Sequence, residues 1–170
     1  MNFKDLCLKR YSVRKYTDEP VSDDDLNYIL ECVRLAPSAV NFQPWKFVVV
    51  KSEAAKSKLW QCYGRDWLQT APLAIIAYKN TQENWVRRPD GKPHGDVDVS
   101  IAVEHLCLAA ADRGLGTCWI CNYDPAKLAE LFPQPEDYEA VAVVPVGHIA
   151  PDCPDNPKKR KGMEEIVEII

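Results

Sequence analysis

The chain has 170 residues, of which 46% are hydrophobic and 27% are charged. This length predicts one domain, and the composition excludes a disordered, collagen-like or coiled-coil chain. Lys and Arg number 21 against 25 Asp and Glu, so the net charge of −4 gives no reason to expect nucleic-acid binding.

No apolar segment approaches the roughly 20 residues of a membrane-spanning helix. The first residues, MNFKDLCLKR, carry charges where a secretory signal needs an unbroken apolar stretch. We therefore expect a cytoplasmic protein, in which the seven cysteines are reduced thiols.

The first half of the chain alternates predicted helices and strands. Helices are expected over residues 2–10, 22–36 and 52–63, and strands over 46–51 and 73–78. Asn2, Ser22 and Ser52 are the expected N-caps, because their side-chain oxygens can accept the free N–H groups of a first turn. In the first helix Phe3 and Leu6 should face inward.

The second half begins with a long predicted loop over residues 79–95. Helices follow over 96–113 and 124–132, with strands over 117–121 and 140–146. Gly114 should end the longest helix in a left-handed conformation, and Pro125 suits the first position of the last helix. This order of elements predicts a mixed α/β or α+β layered domain.

The final segment, residues 147–170, is rich in proline, then basic, then apolar. Its apolar residues are Met163, Ile166, Val167, Ile169 and Ile170. Such an end has to be covered, either by its own domain or by a partner subunit.

Several catalytic motifs are absent from the sequence. Gly114-Leu115-Gly116 has Trp119 where a dinucleotide fingerprint needs its third glycine, and Gly91-Lys92 has Val86 where a P-loop needs glycine. The three histidines form no H-E-x-x-H motif, and no G-x-S-x-G occurs. Cationic side chains must therefore do much of the binding of any phosphorylated ligand.

Two segments of the first half carry candidate binding residues. Arg10-Tyr11-Ser12-Val13-Arg14 offers two guanidinium groups and a hydroxyl to a phosphate, although neighbouring arginines are also common on solvated surfaces. The segment from Ala36 to Trp45 holds Ser38, Asn41 and Gln43 between two prolines. These side chains either bind the polar edge of a heterocycle or stabilise a rigid turn.

Two further candidates lie in the second half. Gly114–Cys121 combines a glycine pair with Cys118 and Cys121, and it either approaches a ligand ring or only ends a helix. The C-x-x-C pair is interpreted as buried thiols, because no second ligand pair exists and the pair does not begin a helix. The basic run Lys158–Lys161 is either a solvated tail or a lid over a phosphate held by Arg10 and Arg14.

Taken in order, these segments resemble the flavin-dependent nitroreductase family. The most specific pieces are R-Y-S-V-R-K-Y, A-P-S-A-V-N-F-Q-P-W, and G-L-G-T-C-W-I followed by Tyr123-Asp124. The V-P-V-G end of the last strand and the K-x-R before M-E-E-I-V agree with it. The resemblance runs from Arg10 to Val167. It implies one α+β domain over residues 1–170, with a central mixed, mostly antiparallel sheet flanked by helices.

The resemblance also implies a homodimer with FMN at each subunit boundary. The residues it assigns to the cofactor on one subunit are Arg10, Tyr11, Ser12, Arg14, Cys121, Asn122, Lys158 and Arg160. Those it assigns from the other subunit are Pro37, Ser38, Ala39, Asn41 and Gln43. At the segment beside flavin N5 the family often has an acidic residue or glycine followed by glycine, whereas this chain has Cys121 and Asn122.

The implied activity is ping-pong hydride transfer from NADH or NADPH, through FMN, to a nitroaromatic, a quinone or a related electron-poor acceptor. No catalytic side chain and no metal are expected. Residues 147–170 would dock on the partner, and residues 79–95 would shape the substrate side. Two alternatives remain: a flavin-binding protein for storage or sensing without turnover, and a metal or dithiol module at Cys118 and Cys121.

Overall fold

The computed structural model describes residues 2–154 and 158–170. These residues form the helices α1 (Phe3–Lys9), α2 (Asp23–Arg34), α3 (Glu53–Trp60), α4 (Gly95–Asp112), α5 (Pro125–Leu131) and α6 (Met163–Ile166). The strands are β1 (Trp45–Val50), β2 (Leu73–Asn80), β3 (Val86–Arg87), β4 (Lys92–Pro93), β5 (Gly116–Thr117) and β6 (Tyr138–Gly147). Short 3₁₀ turns occupy Ala39–Asn41 and Asp66–Thr70.

Four strands form the main sheet, in the order β1-β2-β6-β5 with antiparallel neighbours. The central pair places Ile75 opposite Val144, and its register shifts after Ala77. A parallel bridge joins Ser12 to Thr117 at the β5 edge. The sheet is therefore mixed and mostly antiparallel, which confirms the predicted fold class.

The sheet separates two apolar cores, because successive side chains of β2 point to opposite faces. Leu73, Ile75 and Ala77 pack in the core that contains α2 and α4. Ala74 and Ile76 pack in the core that contains α3 and α5. Helix α4 is buried over most of its surface, which agrees with apolar residues on more than one face.

The predicted N-caps and the glycine end of α4 are confirmed, whereas α2 and α3 end two and three residues before the predicted positions. Asn2, Ser22 and Ser52 each accept the backbone N–H of the residue three positions later. Asp124 caps α5 in the same way, with Pro125 at the first helical position. Gly114 has a φ of 78°, the left-handed conformation expected after α4.

Two element predictions are wrong in part. The strand expected over 117–121 is interrupted between Thr117 and the bridge that joins Ile120 to Val143. If the antiparallel pairing of Ile120 with Val143 continued for two more residues, Cys118 would lie opposite Pro145. Pro145 has no backbone N–H to donate, so the pairing is interrupted there. The predicted loop over 79–95 contains the β3–β4 ribbon, whose turn has Gly91 N–H donating to Arg87 O at 2.8 Å.

The apolar residues near both ends are exposed. Phe3 is 69% exposed, so its predicted inward orientation is wrong, because α1 packs mainly against α4 and leaves an outer face open. Met163 and Ile166 are 68% and 62% exposed, so the described chain leaves the apolar end of the tail uncovered. Over the described ranges, no helix is long and apolar enough to cross a membrane.

Candidate functional site

The first candidate segment begins where α1 ends. Arg10 is the C-cap of this helix, and its N–H donates to Leu6 O at 2.9 Å. Two residues on, Ser12 bridges Thr117, and the Val13 N–H donates to Thr117 O at 2.8 Å. Val13 is 1% exposed, so the segment is fixed against β5 at both its backbone and its side chain.

The glycine of β5 permits this close approach. A Cβ at Gly116 would lie 2.7 Å from Val13 Cγ2 and 2.9 Å from Ile149 Cγ1, which is too close for either contact. The space over Gly116 is therefore filled by protein, not available to a ligand ring. Of the two interpretations of the glycine pair, the structure favours a helix end and a packing contact.

Lys158 brings the distant basic run to the same place. Its Nζ lies 3.3 Å from Cys7 O and also contacts the carbonyl oxygens of Leu8 and Arg10. The last carbonyl groups of a helix carry partial negative charge, which a lysine ammonium stabilises. Arg10 and Lys158, 148 positions apart, therefore meet at the end of α1.

The remaining cations of the predicted phosphate set are exposed. Arg14 donates to Ser12 O at 3.4 Å, and Arg160 donates to Lys159 O at 3.2 Å. Within residues 2–154 and 158–170 neither of these arginines forms an ion pair, whereas Arg10 Nε lies 3.9 Å from Glu104 Oε1. Tyr11, which lies between Arg10 and Arg14 in the sequence, is half-buried. The guanidinium groups of Arg14 and Arg160 are thus exposed, with only local backbone hydrogen bonds among the described residues.

The thiols next to this cluster are protonated at neutral pH. Burial raises the pKa of the Cys118 thiol, although the Arg14 charge and a Ser12 hydrogen bond act in the opposite direction. Burial likewise raises the pKa of the Cys107 thiol to about 12. Neither sulfur is therefore a ready nucleophile.

The two cysteines of the C-x-x-C pair have different environments. Cys118 is buried as predicted, but Cys121 is exposed, so the prediction of two buried thiols is wrong for Cys121. Side chains three residues apart in an extended segment point to opposite sides, which separates this pair. Among the residues the structure describes, no group of three or more His, Cys, Asp or Glu side chains could hold a metal ion.

Cys121 and Asn122 follow the bridge from Ile120 to β6 and are both exposed. Cys121 Sγ lies 3.7 Å from Val141 O, and the next side chain, Tyr123, donates its hydroxyl to Ala140 O at 2.6 Å. These contacts hold the segment against β6.

The other candidate segment, which we call the proline loop (residues 37–43), is rigid and exposed. Ser38 Oγ accepts the Gln43 N–H at 2.8 Å, and Gln43 Nε2 donates to Asn41 Oδ1 at 3.2 Å. Val40, Asn41 and Gln43 have φ values of 54°, 58° and 51°. Left-handed backbone costs a non-glycine residue roughly 1–2 kcal/mol, so contacts must hold this conformation.

One such contact comes from α4. The Ala39 N–H donates to Asp98 Oδ1 at 2.8 Å, and Asp98 is 2% exposed. Asp98 Oδ2 has no hydrogen-bond partner among the described residues. The sequence patterns above do not single out Asp98, although an acidic residue between Val97 and Val99 in an apolar helix is a signal that such patterns contain.

The two candidate halves of the site, the Arg10 segment and the proline loop, contact α4 at different points. Arg10 approaches the helix at Glu104, and the proline loop approaches it at Asp98. Six residues of helix separate these contacts by about 9 Å along the axis. The cavity lined by Arg10, Tyr11 and Val13 has a volume of about 100 Å³. Ligand sites typically have about 300–1,000 Å³, so one chain does not enclose a large ligand here.

Comparison with known proteins agrees with this fold. The model of the Nitroreductase family matches residues 7–63 and 59–148. A relative from Archaeoglobus fulgidus, whose name joins NADH dehydrogenase with NAD(P)H nitroreductase, is 33% identical over 157 residues, 84% of this chain and 84% of the relative. The NAD(P)H FMN reductase of Bacillus subtilis is 30% identical over 163 residues, 86% of this chain and 66% of the relative.

A solved structure of a nitroreductase family protein has a similar fold. The crystal structure of a nitroreductase family protein from Clostridium difficile is similar with a TM-score of 0.90 and 31% identity, and the match covers 99% of this chain and 98% of that one. The chain belongs to the nitroreductase family, and it is an oxidoreductase.

Proposed function

We propose that this protein is an FMN-dependent NAD(P)H oxidoreductase that acts as a homodimer and reduces a nitroaromatic, a quinone or a related electron-poor acceptor. Family membership supports the oxidoreductase class and FMN as the cofactor. On this chain, one observation carries the proposal. Arg10 and Lys158 meet at the end of α1, beside the Ser12 backbone that is fixed on β5.

The donor set at this place fits the phosphate of FMN. A phosphate group has about two negative charges and three acceptor oxygens, which guanidinium and hydroxyl groups bind well. Arg10, Ser12 and Arg14 provide such donors on one short segment, and Arg160 extends the set. Glu104 lies 3.9 Å from Arg10 Nε, beyond hydrogen-bond distance, so Arg10 keeps its donors for the ligand.

A second subunit is proposed because the two candidate halves do not close a site within one chain. In the dimer, the proline loop of one subunit contacts the flavin held by Arg10, Ser12 and Arg14 of the other. Ser38 and Asn41 supply the polar contacts. Cys121 and Asn122, which are both exposed residues, contribute a backbone N–H near the flavin N5.

Exposed apolar surface supports the same arrangement. A groove of about 630 Å³ lies between α1, α2 and α4, with Phe3, Leu6, Ile101 and Leu108 in its mainly apolar lining. The tail exposes Met163, Ile166, Val167, Ile169 and Ile170. Burial of apolar surface contributes about 25 cal/mol per Å², so covering both surfaces favours association of two copies. The segment expected to dock on the partner, residues 147–170, begins on its own chain, with Gly147 in β6 and Lys158 at the end of α1. We therefore propose that its apolar end, from Met163 to Ile170, docks on the other subunit.

Bound FMN supplies the hydride-transfer chemistry, and the chain supplies binding and orientation. Arg10 and Arg14 hold the phosphate end, and Ser38 and Asn41 orient the ring from the other side. Lys158, whose ammonium bonds to the carbonyl groups at the end of α1, adds positive charge beside the phosphate. The pKa values of Cys107 and Cys118 are raised, so these thiols stay neutral and do not compete as nucleophiles. Electron donor and acceptor use the same place in turn, which predicts ping-pong kinetics.

Anaerobic rapid mixing of the FMN-loaded protein with NADH or NADPH tests the proposal. We expect fast loss of the yellow flavin absorbance, followed by its return when a nitroaromatic or quinone is added. A protein that only stores or senses flavin would bind FMN tightly and show no fast loss with either donor. That result would contradict the enzymatic function.

The Cys118→Ala/Cys121→Ala double variant separates the flavin enzyme from the dithiol or metal module. Flavin reduction should stay within about tenfold of the wild-type rate, or about 1.4 kcal/mol in the barrier, because neither sulfur takes part. A folded, FMN-saturated double variant without turnover would favour the dithiol alternative.

A further inference from the structure

We propose that Asp98 is a positioning residue for the flavin. By holding the Ala39 N–H, its buried carboxylate fixes the proline loop in the conformation in which Ser38 and Asn41 meet the flavin on the partner subunit. This inference rests on the proposed function, because it takes the flavin as the ligand of the loop. Asp98 acts through the loop and is not assigned a contact with cofactor or substrate.

The Asp98 bond connects the loop to a distant element. Asn41 N–H to Ser38 O, Phe42 N–H to Ala39 O, and Gln43 N–H to Ser38 Oγ are all bonds inside the loop. The bond from Ala39 to Asp98 instead spans 59 positions and reaches the first turn of α4. It therefore determines where the loop sits on the molecule, while the internal bonds determine its shape.

The position of Asp98 on α4 makes this bond strong. The start of an 18-residue helix carries partial positive charge, which favours a carboxylate in its first turn. Burial to 2% exposure removes water as a competitor for the Ala39 N–H.

The bond acts at the start of the strained part of the loop. Ala39 begins the turn in which Val40 and Asn41 have φ values of 54° and 58°. If the Ala39 N–H is released, both residues can return to ordinary negative φ values, and the Asn41 side chain then changes direction. We therefore expect release of the Ala39 N–H to weaken the binding of the flavin more than it lowers the stability of the core.

The test compares Asp98→Ala with Asp98→Asn and with a matched control, Asp96→Ala. Asn keeps an acceptor oxygen for the Ala39 N–H, so it should restore the wild-type behaviour. Asp96 is an acid of the same helix turn that pairs with Lys79 at 3.0 Å and does not bond to the loop. Asp98→Leu, which fills the buried volume, replaces Asp98→Ala if the smaller side chain destabilises the fold.

Two readouts are measured on the full chain. Hydrogen exchange of the Ala39 amide in the FMN-free protein should be at least about tenfold faster in Asp98→Ala, and the Kd for FMN should rise about tenfold, as expected for one lost buried hydrogen bond. Asp98→Asn should stay within about threefold of wild type in both, and Asp96→Ala should match wild type.

Unchanged Ala39 exchange in Asp98→Ala would overturn the proposal, even if FMN binding fell. Faster exchange with unchanged FMN affinity would also overturn it, because the loop would then move without affecting the flavin. A wild-type chain that binds no FMN would instead contradict the proposed function, and the exchange of Ala39 would still decide whether Asp98 fixes the loop.

Discussion

Gly116→Ala tests how tightly the segment that carries Arg10, Ser12 and Arg14 is packed on β5. The new Cβ would lie 2.7 Å from Val13 Cγ2, 2.8 Å from Val13 Cβ and 2.9 Å from Ile149 Cγ1. Ordinary carbon contacts are about 3.5–4.0 Å, so the neighbours would have to move by several tenths of an ångström. The 2.8 Å bond from the Val13 N–H to Thr117 O opposes that movement.

Overpacking of this kind costs about 1–3 kcal/mol, and each kcal/mol lowers the Tm of a chain this size by about 2–4 °C. We therefore expect Gly116→Ala to melt roughly 2–12 °C below wild type, measured without FMN and at a fixed protein concentration. Gly64→Ala is the matched control, because its Cβ would meet nothing within 4 Å. Equal Tm values for the two variants would refute the packing argument.

Three further predictions concern the cofactor, pH and the tail. Arg10→Ala should raise the Kd for FMN about tenfold to a hundredfold in a titration, through loss of charge-assisted bonds to the phosphate, whereas Arg34→Ala on the exposed face of α2 should not. The raised pKa values of Tyr78, Tyr123 and Cys107, each about 12, predict stability that is complete below about pH 9 and lost as the pH rises towards 12, measurable as a falling urea midpoint. A pH-independent midpoint over that range would contradict it. Truncation after Asn156 should weaken both the dimer and FMN binding in analytical ultracentrifugation with and without FMN, and a truncated chain that keeps both would rule out the docking of the tail.

Local features of the fold could be predicted from the sequence because their causes are local. The caps at Asn2, Ser22 and Ser52 need only a side-chain oxygen three residues before a free N–H. The left-handed turn at Gly114 likewise depends on one residue. The interrupted strand near Cys118 could not be predicted, because its cause is Pro145 on a strand that the sequence alone does not place in register.

The candidate site also has features that the sequence predicts and features that it does not. The sequence motifs predict the Arg10 segment, the proline loop and the basic run as candidate binding elements, because their residue types suit an anionic, planar ligand. The bond from Ala39 to Asp98 and the contact of Lys158 with Arg10 depend on tertiary packing between distant residues. The exposure of Cys121 also depends on that packing. The sequence pattern does not contain it and therefore predicts that Cys118 and Cys121 are both buried.

The central claim is that the flavin site is divided between two subunits, and mixed dimers test it most directly. One chain carries Arg10→Ala and Arg14→Ala, and the other carries Ser38→Ala and Asn41→Gly, where glycine accepts the left-handed φ. Each parent homodimer should bind FMN weakly. A mixed dimer with a divided site has one intact site and one doubly defective site, so it should bind one FMN per dimer with wild-type affinity. If both halves of the site came from the same chain, every site would carry a defect, and a mixed dimer that binds no FMN tightly would contradict the claim.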